Sequence, residues 1–241
     1  MPTSSADSSS ASRPDRLGVV VLCERVREGD AIARRVGAVE GADVRVLVCR
    51  NRRRPSRFAA ATLMDLVRSP RLVAEVARGR LRITPRALHD ERVLRRLSAL
   101  RPDVGLHAMS VIYRRAAIDS FRLGLLNPHI GLLPRYRGRS VMEWSLLGGD
   151  ETGITVFFID EGIDTGSEIV LRRPVDVSAF DDVASAKRFL FGLAPEMFER
   201  ALRELTRPGF RPETQQESEG TRWYAMSGLF SGVVDGLLRD G

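Results

Sequence analysis

Hydrophobic and polar positions divide the chain into short blocks of alternating type. Arg16 to Cys23, "RLGVVVLC", is a continuous β-branched apolar run, the pattern of a strand covered on both faces. Asp30 to Glu40 then has helical spacing, with Ile32, Val36 and Val39 on one side and Asp30 at the N-cap, and Ala42 to Cys49, "ADVRVLVC", returns to strand. Strand, helix and strand in that order predict a βαβ unit and a parallel sheet. Phe58 to Gly79 predicts a helix broken at Pro70, and "RLRIT" from Arg80 a short strand. A helix over Asp90 to Leu100, a strand over Asp103 to Ser110 and a helix over Arg114 to Phe121 follow. Leu125 to Arg139, "LLNPHIGLLPRYRGR", reads as irregular, because each proline fixes φ and removes a backbone donor. Ser140 to Leu147 is helical and is stopped by Gly148 and Gly149. Two strand-like runs, Gly153 to Ile159 and Glu168 to Val177, flank the loop "DEGIDTGS". One long helix is expected over Asp181 to Leu205, with Leu190, Leu193, Met197, Ala201 and Leu205 on a shared face and Pro195 as a kink. The pattern predicts an α/β fold in which a doubly wound sheet is followed by hairpin-like strands.

Composition narrows this picture. A chain of 241 residues that is 43% hydrophobic and 29% charged supports one sizeable core. One domain is expected over 17–205, with a disordered tail over 1–16 and a C-terminal extension over 206–241. The longest apolar runs fall short of the roughly 18–20 residues a membrane span needs, which predicts a soluble chain. The Ser- and Ala-rich first residues lack the apolar centre of a secretory signal, so the expected location is the cytoplasm. Cys23 and Cys49 have no CxxC partner and predict buried reduced thiols; no metal site is expected.

The net charge of +7 invites an anionic partner, but Lys187 is the only lysine among 38 basic residues, and a general bias toward arginine explains that equally well. The densest cluster, Cys49 to Phe58, reads as a solvated loop, with a phosphate-bearing partner as the other reading.

Candidate chemistry lies in three loops: after the strand ending at Ser110, around Asn127 and His129, and in "DEGIDTGS". Pro128 holds its neighbours in extended geometry, which turns the Asn127 and His129 side chains to the same side. His107 reads as a satisfied core residue and His89 as a surface one. Singly, each piece has an ordinary structural reading. In order, N-P-H, L-L-P-R-Y-R-G, T-G-I-T and G-I-D-T-G between Asn127 and Gly166 resemble the folate-dependent formyltransferases, most strongly from Asp103 to Val177. That family includes glycinamide ribonucleotide, methionyl-tRNA and sugar-nucleotide formyltransferases.

The resemblance implies a Rossmann-like domain that moves a formyl group from 10-formyltetrahydrofolate to a primary amine, with Asn127, His129 and Asp164 as catalytic residues. It further implies that Ser110, Val111, Ile112 and Tyr113 face Ile159, Asp160 and Glu161 across the folate, with Arg137 toward an anionic group of the acceptor. Those residue types suit the chemistry. Attack of an amine on the formyl carbon builds an oxyanion that Asn127 and a protonated His129 can meet with donors, while Asp164 can take the proton of the attacking nitrogen.

Departures from the family pattern bear on the acceptor. "CERVREGD" from Cys23 carries one glycine where glycinamide ribonucleotide formyltransferases have a glycine-rich phosphate turn. Beyond the long helix, the sequence is too short for the appended domain of methionyl-tRNA formyltransferases. A sugar nucleotide or similar small amine is therefore the expected acceptor, with neither nucleic acid nor membrane as partner and a homodimer left open. The alternatives are a methionyl-tRNA or glycinamide ribonucleotide formyltransferase, a non-catalytic folate-binding relative, or an RNA-binding protein.

Overall fold

A computed structural model describes residues 16–51, 54–162 and 164–240. The expected tail, Arg16 excepted, and Arg52 and Arg53 of the basic cluster lie outside the described residues. Leu17–Cys23 (β1), Val26–Val36 (α1) and Ala42–Cys49 (β2) form the first crossover, in parallel register from Leu17↔Ala42 to Cys23↔Val48. Pro55–Val67 (α2) and Pro70–Ala77 (α3) lead to Leu81–Thr84 (β3), which pairs with β2. Glu91–Ala99 (α4) crosses to Val104–Ala108 (β4) on the other side of β1, and the single turn Arg115–Ile118 (α5) returns the chain to Gly124–His129 (β5). Tyr136–Gly138 (β6) and Val141–Leu147 (α6) precede the antiparallel pair Gly153–Phe158 (β7) and Glu168–Pro174 (β8). Val183–Gly192 (α7), Ala194–Thr206 (α8), Glu213–Thr214 (β9), Thr221–Trp223 (β10) and Gly228–Asp240 (α9) complete the order. The main sheet runs β3-β2-β1-β4-β5-β7-β8-β9, and β6 pairs with β10 in a separate two-stranded sheet.

This is the expected mostly parallel α/β sheet, covered on both faces. Alternation along β1 sends Val19, Val21 and Cys23 into a layer with Ile32 and Val36 of α1 and Met197, Phe198 and Ala201 of α8. Val20 and Leu22 meet Val93 and Leu97 of α4 on the opposite face. A parallel strand covered on both faces needs apolar residues at successive positions, which is why the run has no polar alternation. The two thiols are free and buried, and desolvation pushes both up, Cys49 to about 12.

Several expectations are corrected. Helix α1 begins at Val26 and ends at Val36, so Asp30 is no cap; it lies within the helix and pairs with Arg34 at 3.2 Å and Arg71 at 3.0 Å. The single helix over Asp181 to Leu205 is two helices that break at Leu193, because Pro195 in the first turn of α8 has no N–H to continue α7.

The most consequential correction is β5: Asn127, Pro128 and His129 belong to a central strand. Pairing with β4 ends at Leu106↔Leu126, whereas pairing with β7 continues to His129↔Thr155. The Leu125 carbonyl accepts from Ile159 N–H at 2.8 Å and so faces β7. Main-chain direction alternates along a strand, so the nitrogen of Pro128 faces the β4 side, where no partner continues. Proline is tolerated because its missing donor falls on the open side.

Candidate active site

The strand geometry of β5 puts Asn127 and His129 on one face, with Leu125 before them. His107 of β4 and Phe157 of β7 point the same way by the sheet register. On this face Leu125 is covered by Ala117 and Phe121, and α5 ends after one turn, so a cleft opens next to the sheet. It has a volume of about 140 Å³ and is lined by Val111, Ile112 and Tyr113 on one side and Ile159, Asp160 and Gly162 on the other, with His107, Asn127, Phe157 and Asp164 completing it. Strand β7 runs antiparallel, so its loop reaches the cleft by folding back over the sheet and not by lying beyond a parallel strand's carboxyl end.

Asp164 is where the three predicted catalytic positions meet. The Asn127 amide donates to Asp164 Oδ1 at 3.4 Å, and His129 Nδ1 lies 3.5 Å from Asp164 Oδ2. Oδ2 also accepts from the Gly138 backbone N–H at 2.9 Å. Asp164 itself has φ of 54°, a left-handed conformation that Asp tolerates better than most residues. His129 is buried and does not line the cleft. Its Nε2 donates to the Tyr136 carbonyl at 2.9 Å, and since a carbonyl only accepts, that nitrogen carries the hydrogen and Nδ1 is left to face the carboxylate. The turn after His129 is pinned by buried Thr155, whose hydroxyl donates to the Gly131 carbonyl at 2.6 Å and accepts from Leu133 N–H at 3.1 Å.

Two of the residues expected at the folate do not line the cleft. The Ser110 carbonyl and N–H turn instead to Asn51 and Glu24, and Glu161 is exposed. Asp160 lines the cleft but also ties its own loop, accepting from Gly162 N–H at 2.9 Å and the Thr165 hydroxyl at 2.8 Å. Ile112 is 76% exposed at the rim, and its carbonyl is held by His89 Nε2 at 2.9 Å. His89, read as a surface residue, is therefore a half-buried brace for this loop.

Arg137, expected toward the acceptor, does not line the cleft. It is 4% exposed and donates to the Gly220 carbonyl at 2.8 Å, where β6 pairs with β10. The segment after α8 thus packs against β6, whose Gly138 N–H reaches Asp164. Tyr136, Trp223 and Trp144 stack with centroid separations of 5.8 and 4.8 Å, and Trp144 Nε1 donates to the Tyr224 carbonyl at 2.9 Å. These contacts hold β6, and with it the Gly138 amide, against Asp164.

His107 lies at the back of the cleft, its Nδ1 2.9 Å from the Tyr113 hydroxyl. Burial pushes its imidazole down to about 4 from the ordinary 6.5, against the opposing charges of Asp164 and Glu24. The unfolded chain takes up this proton at a higher pH than the folded one. His107 therefore contributes stability that is fully present above about 6.5 and is lost as pH falls toward about 4. Urea unfolding at neutral and mildly acid pH should show a steeper loss for the native chain than for His107→Gln; equal slopes would contradict the buried neutral imidazole.

Among the described residues, no helix is long and apolar enough to cross a membrane. The chain matches the family model described as "Formyl transferase" over residues 31–202. It is 34% identical over 174 residues to the methionyl-tRNA formyltransferase of Aromatoleum aromaticum, which covers 71% of this chain and 54% of that protein. With the methionyl-tRNA formyltransferase of Coxiella burnetii it shares 33% identity over 58% of this chain and 45% of the relative. The chain thus spans about half the length of the curated relatives it matches. In fold it is similar to a sugar N-formyltransferase from Shewanella sp, with a TM-score of 0.62 and 14% identity over 92% of this chain and 87% of the other. A glycinamide ribonucleotide transformylase from Symbiobacterium toebii gives a TM-score of 0.58 at 20% identity, over 85% and 96%. With the family model spanning most of the sheet and the Asn127 and His129 side chains both beside Asp164, the chain belongs to the formyl transferase family.

Proposed function

We propose that this protein transfers a formyl group from 10-formyltetrahydrofolate to the primary amine of a small metabolite, a sugar nucleotide or a similar compound, in the cytoplasm. One observation carries the reading: the Asp164 carboxylate sits at the cleft between the Asn127 amide and His129 Nδ1. In the reaction the acceptor nitrogen bonds to the formyl carbon, the carbonyl electrons move to oxygen, and the bond to the folate nitrogen then breaks. Asn127 donates to the oxyanion. Asp164 takes the proton from the attacking nitrogen and returns it to the departing one, so the step is balanced without another reactant. His129 acts through Asp164, its ring packed beside the carboxylate and holding its orientation. Exposed Ile112, with Ile159 and Phe157 opposite, suits the flat face of a pterin, and the backbone of residues 111–113 suits its polar edge. The catalytic unit of the proposal is 17–205, with the segment from 206 onward supporting it through β6.

A methionyl-tRNA acceptor is the second reading, favoured by the names of the curated relatives. An assay of tetrahydrofolate release from 10-formyltetrahydrofolate with aminodeoxysugar nucleotides, glycinamide ribonucleotide and methionyl-tRNA separates the two. Turnover with the sugar nucleotides is expected. Turnover with methionyl-tRNA alone would establish the second reading, and release with no amine in the panel would overturn both.

A further inference from the structure

In the proposed reaction Asn127 alone meets the oxyanion, although sites of this kind usually gather more than one donor. His129 cannot supply the second: its Nε2–H is held by the Tyr136 carbonyl at 2.9 Å, its Nδ1 faces Asp164, and it does not line the cleft. His107 does line it. Leu106 of β4 pairs with Leu126 of β5, so His107 and Asn127, each the next residue, rise side by side from the cleft face of neighbouring strands that lie about 4.8 Å apart. The Asp164 charge also bears on the His107 imidazole.

Tyr113 fixes which nitrogen of His107 carries the hydrogen. The phenol is 5% exposed, so its hydroxyl hydrogen needs an acceptor inside the protein, and His107 Nδ1 lies 2.9 Å away. Nδ1 therefore accepts, and in the neutral ring the hydrogen is on Nε2. Burial keeps the ring neutral by pushing it down to about 4. Among the described residues Nε2 meets no acceptor, and it is not one of the enclosed polar atoms left without a partner, so this N–H opens on the cleft.

We propose that His107 is a second oxyanion donor, its Nε2–H and the second hydrogen of the Asn127 amide meeting the formyl oxygen from adjacent strands. The proposal rests on the formyl-transfer reading and adds a catalytic residue to it. As the acceptor nitrogen bonds to the formyl carbon, the carbonyl electron pair moves onto the oxygen between these two donors, and it returns as the bond to the folate nitrogen breaks. His107 keeps its proton throughout. With its hydrogen on Nε2 the ring offers the cleft no lone pair, which leaves the proton of the amine to Asp164. A histidine inside an apolar strand reads as core in the sequence; whether its far nitrogen is covered depends on how soon α5 ends.

Two variants separate catalysis from support. In His107→Asn the side-chain oxygen can stand where Nδ1 stands and accept from Tyr113, but nothing reaches the position of Nε2. In His107→Gln the amide reaches that position and can donate, while the acceptor for Tyr113 is lost. With saturating substrates, kcat for tetrahydrofolate release should fall about 100-fold or more in His107→Asn and stay within about tenfold of native in His107→Gln. A supporting role gives the reverse order, because only Asn preserves the bond to Tyr113. Nitrogen NMR of histidine-labelled native protein should find the His107 hydrogen on Nε2 at neutral pH, with no donor present. Near-native kcat in His107→Asn, the reverse order of the two variants, or the hydrogen on Nδ1 would each overturn the proposal. Hydrolysis of 10-formyltetrahydrofolate by water passes through the same oxyanion and needs no acceptor, so every chain is assayed with and without amine. Hydrolysis that follows His107 with no transfer to any amine retains the proposal and sinks formyl transfer, whereas transfer indifferent to His107 does the reverse. Neither reaction in the native chain overturns both.

Discussion

Asp164→Asn is expected to lower kcat by on the order of 100-fold or more while the protein stays folded and binds the donor normally. An Asn oxygen can still accept the Gly138 N–H that holds the loop at 2.9 Å, and its size is that of Asp. What disappears is the charge proposed to take the proton from the attacking amine, which faces His129 Nδ1 at 3.5 Å. Asn127→Ala should cause a loss of similar size, since removing one oxyanion donor typically costs about 100-fold or more. His129→Ala should also abolish most turnover, but by a different route: it removes the group behind Asp164 and leaves the buried Tyr136 carbonyl without its donor. Its melting temperature should therefore fall, where that of Asp164→Asn should not. Steady-state kinetics with saturating donor and acceptor, alongside thermal unfolding, test all three. Near-native kcat in any one of them would remove its assigned role.

Gly138→Ala should be nearly as damaging, although Gly138 takes no part in the chemistry. Its φ of 102° is strained for any side chain, and a Cβ built there lies 2.2 Å from the Trp223 carbonyl oxygen. That oxygen belongs to the backbone of β10, so neither partner can yield without opening the β6–β10 pairing. Opening it withdraws the N–H that Asp164 accepts, and hydrogen bonds to charged groups contribute about 1.5–3 kcal/mol, or roughly 10- to 100-fold in rate. The expected result is a fall in kcat within that range, a lower melting temperature, and changed tryptophan fluorescence from the loss of the Trp144–Trp223 stack. Unaltered fluorescence with full kcat would show that the two-stranded sheet does not position Asp164.

Much of the fold follows from local pattern. β1 is legible because a strand buried on both faces must be apolar throughout, and β2 from the apolar run Val46 to Cys49 that follows its half-exposed Asp43 and Arg45. The end of α4 and the break at Pro70 follow from backbone chemistry that no tertiary contact overrides. The start of α1 was not legible: a capping residue at Asp30 was available, but the helix begins earlier so that Val26 and Gly29 can pack onto the sheet. At Gly29 a Cβ would lie 2.4 Å from Cys23 Sγ, a close approach that sequence spacing does not reveal.

At the site the division is sharper. That Asn127 and His129 share a side required only the alternation of extended backbone, which holds whether the segment is loop or strand. That Asp164 joins them rested on motif order, since nothing local ties a loop residue to a strand so far back in the chain. Pro128 was read as excluding a central strand because its missing donor is a property of the residue, but whether that donor is needed depends on which neighbour continues beside it. Arg137 and Gly138 depend in the same way on partners distant in sequence: Gly220 and Trp223. Covalent geometry and hydrophobic periodicity act over a few residues, and they settled the element types and the facing of Asn127 and His129. Hydrogen-bond partners and charge compensation act through space, so the tolerance of Pro128, the burial of Arg137 and the seat of Asp164 were decided only when the sheet closed.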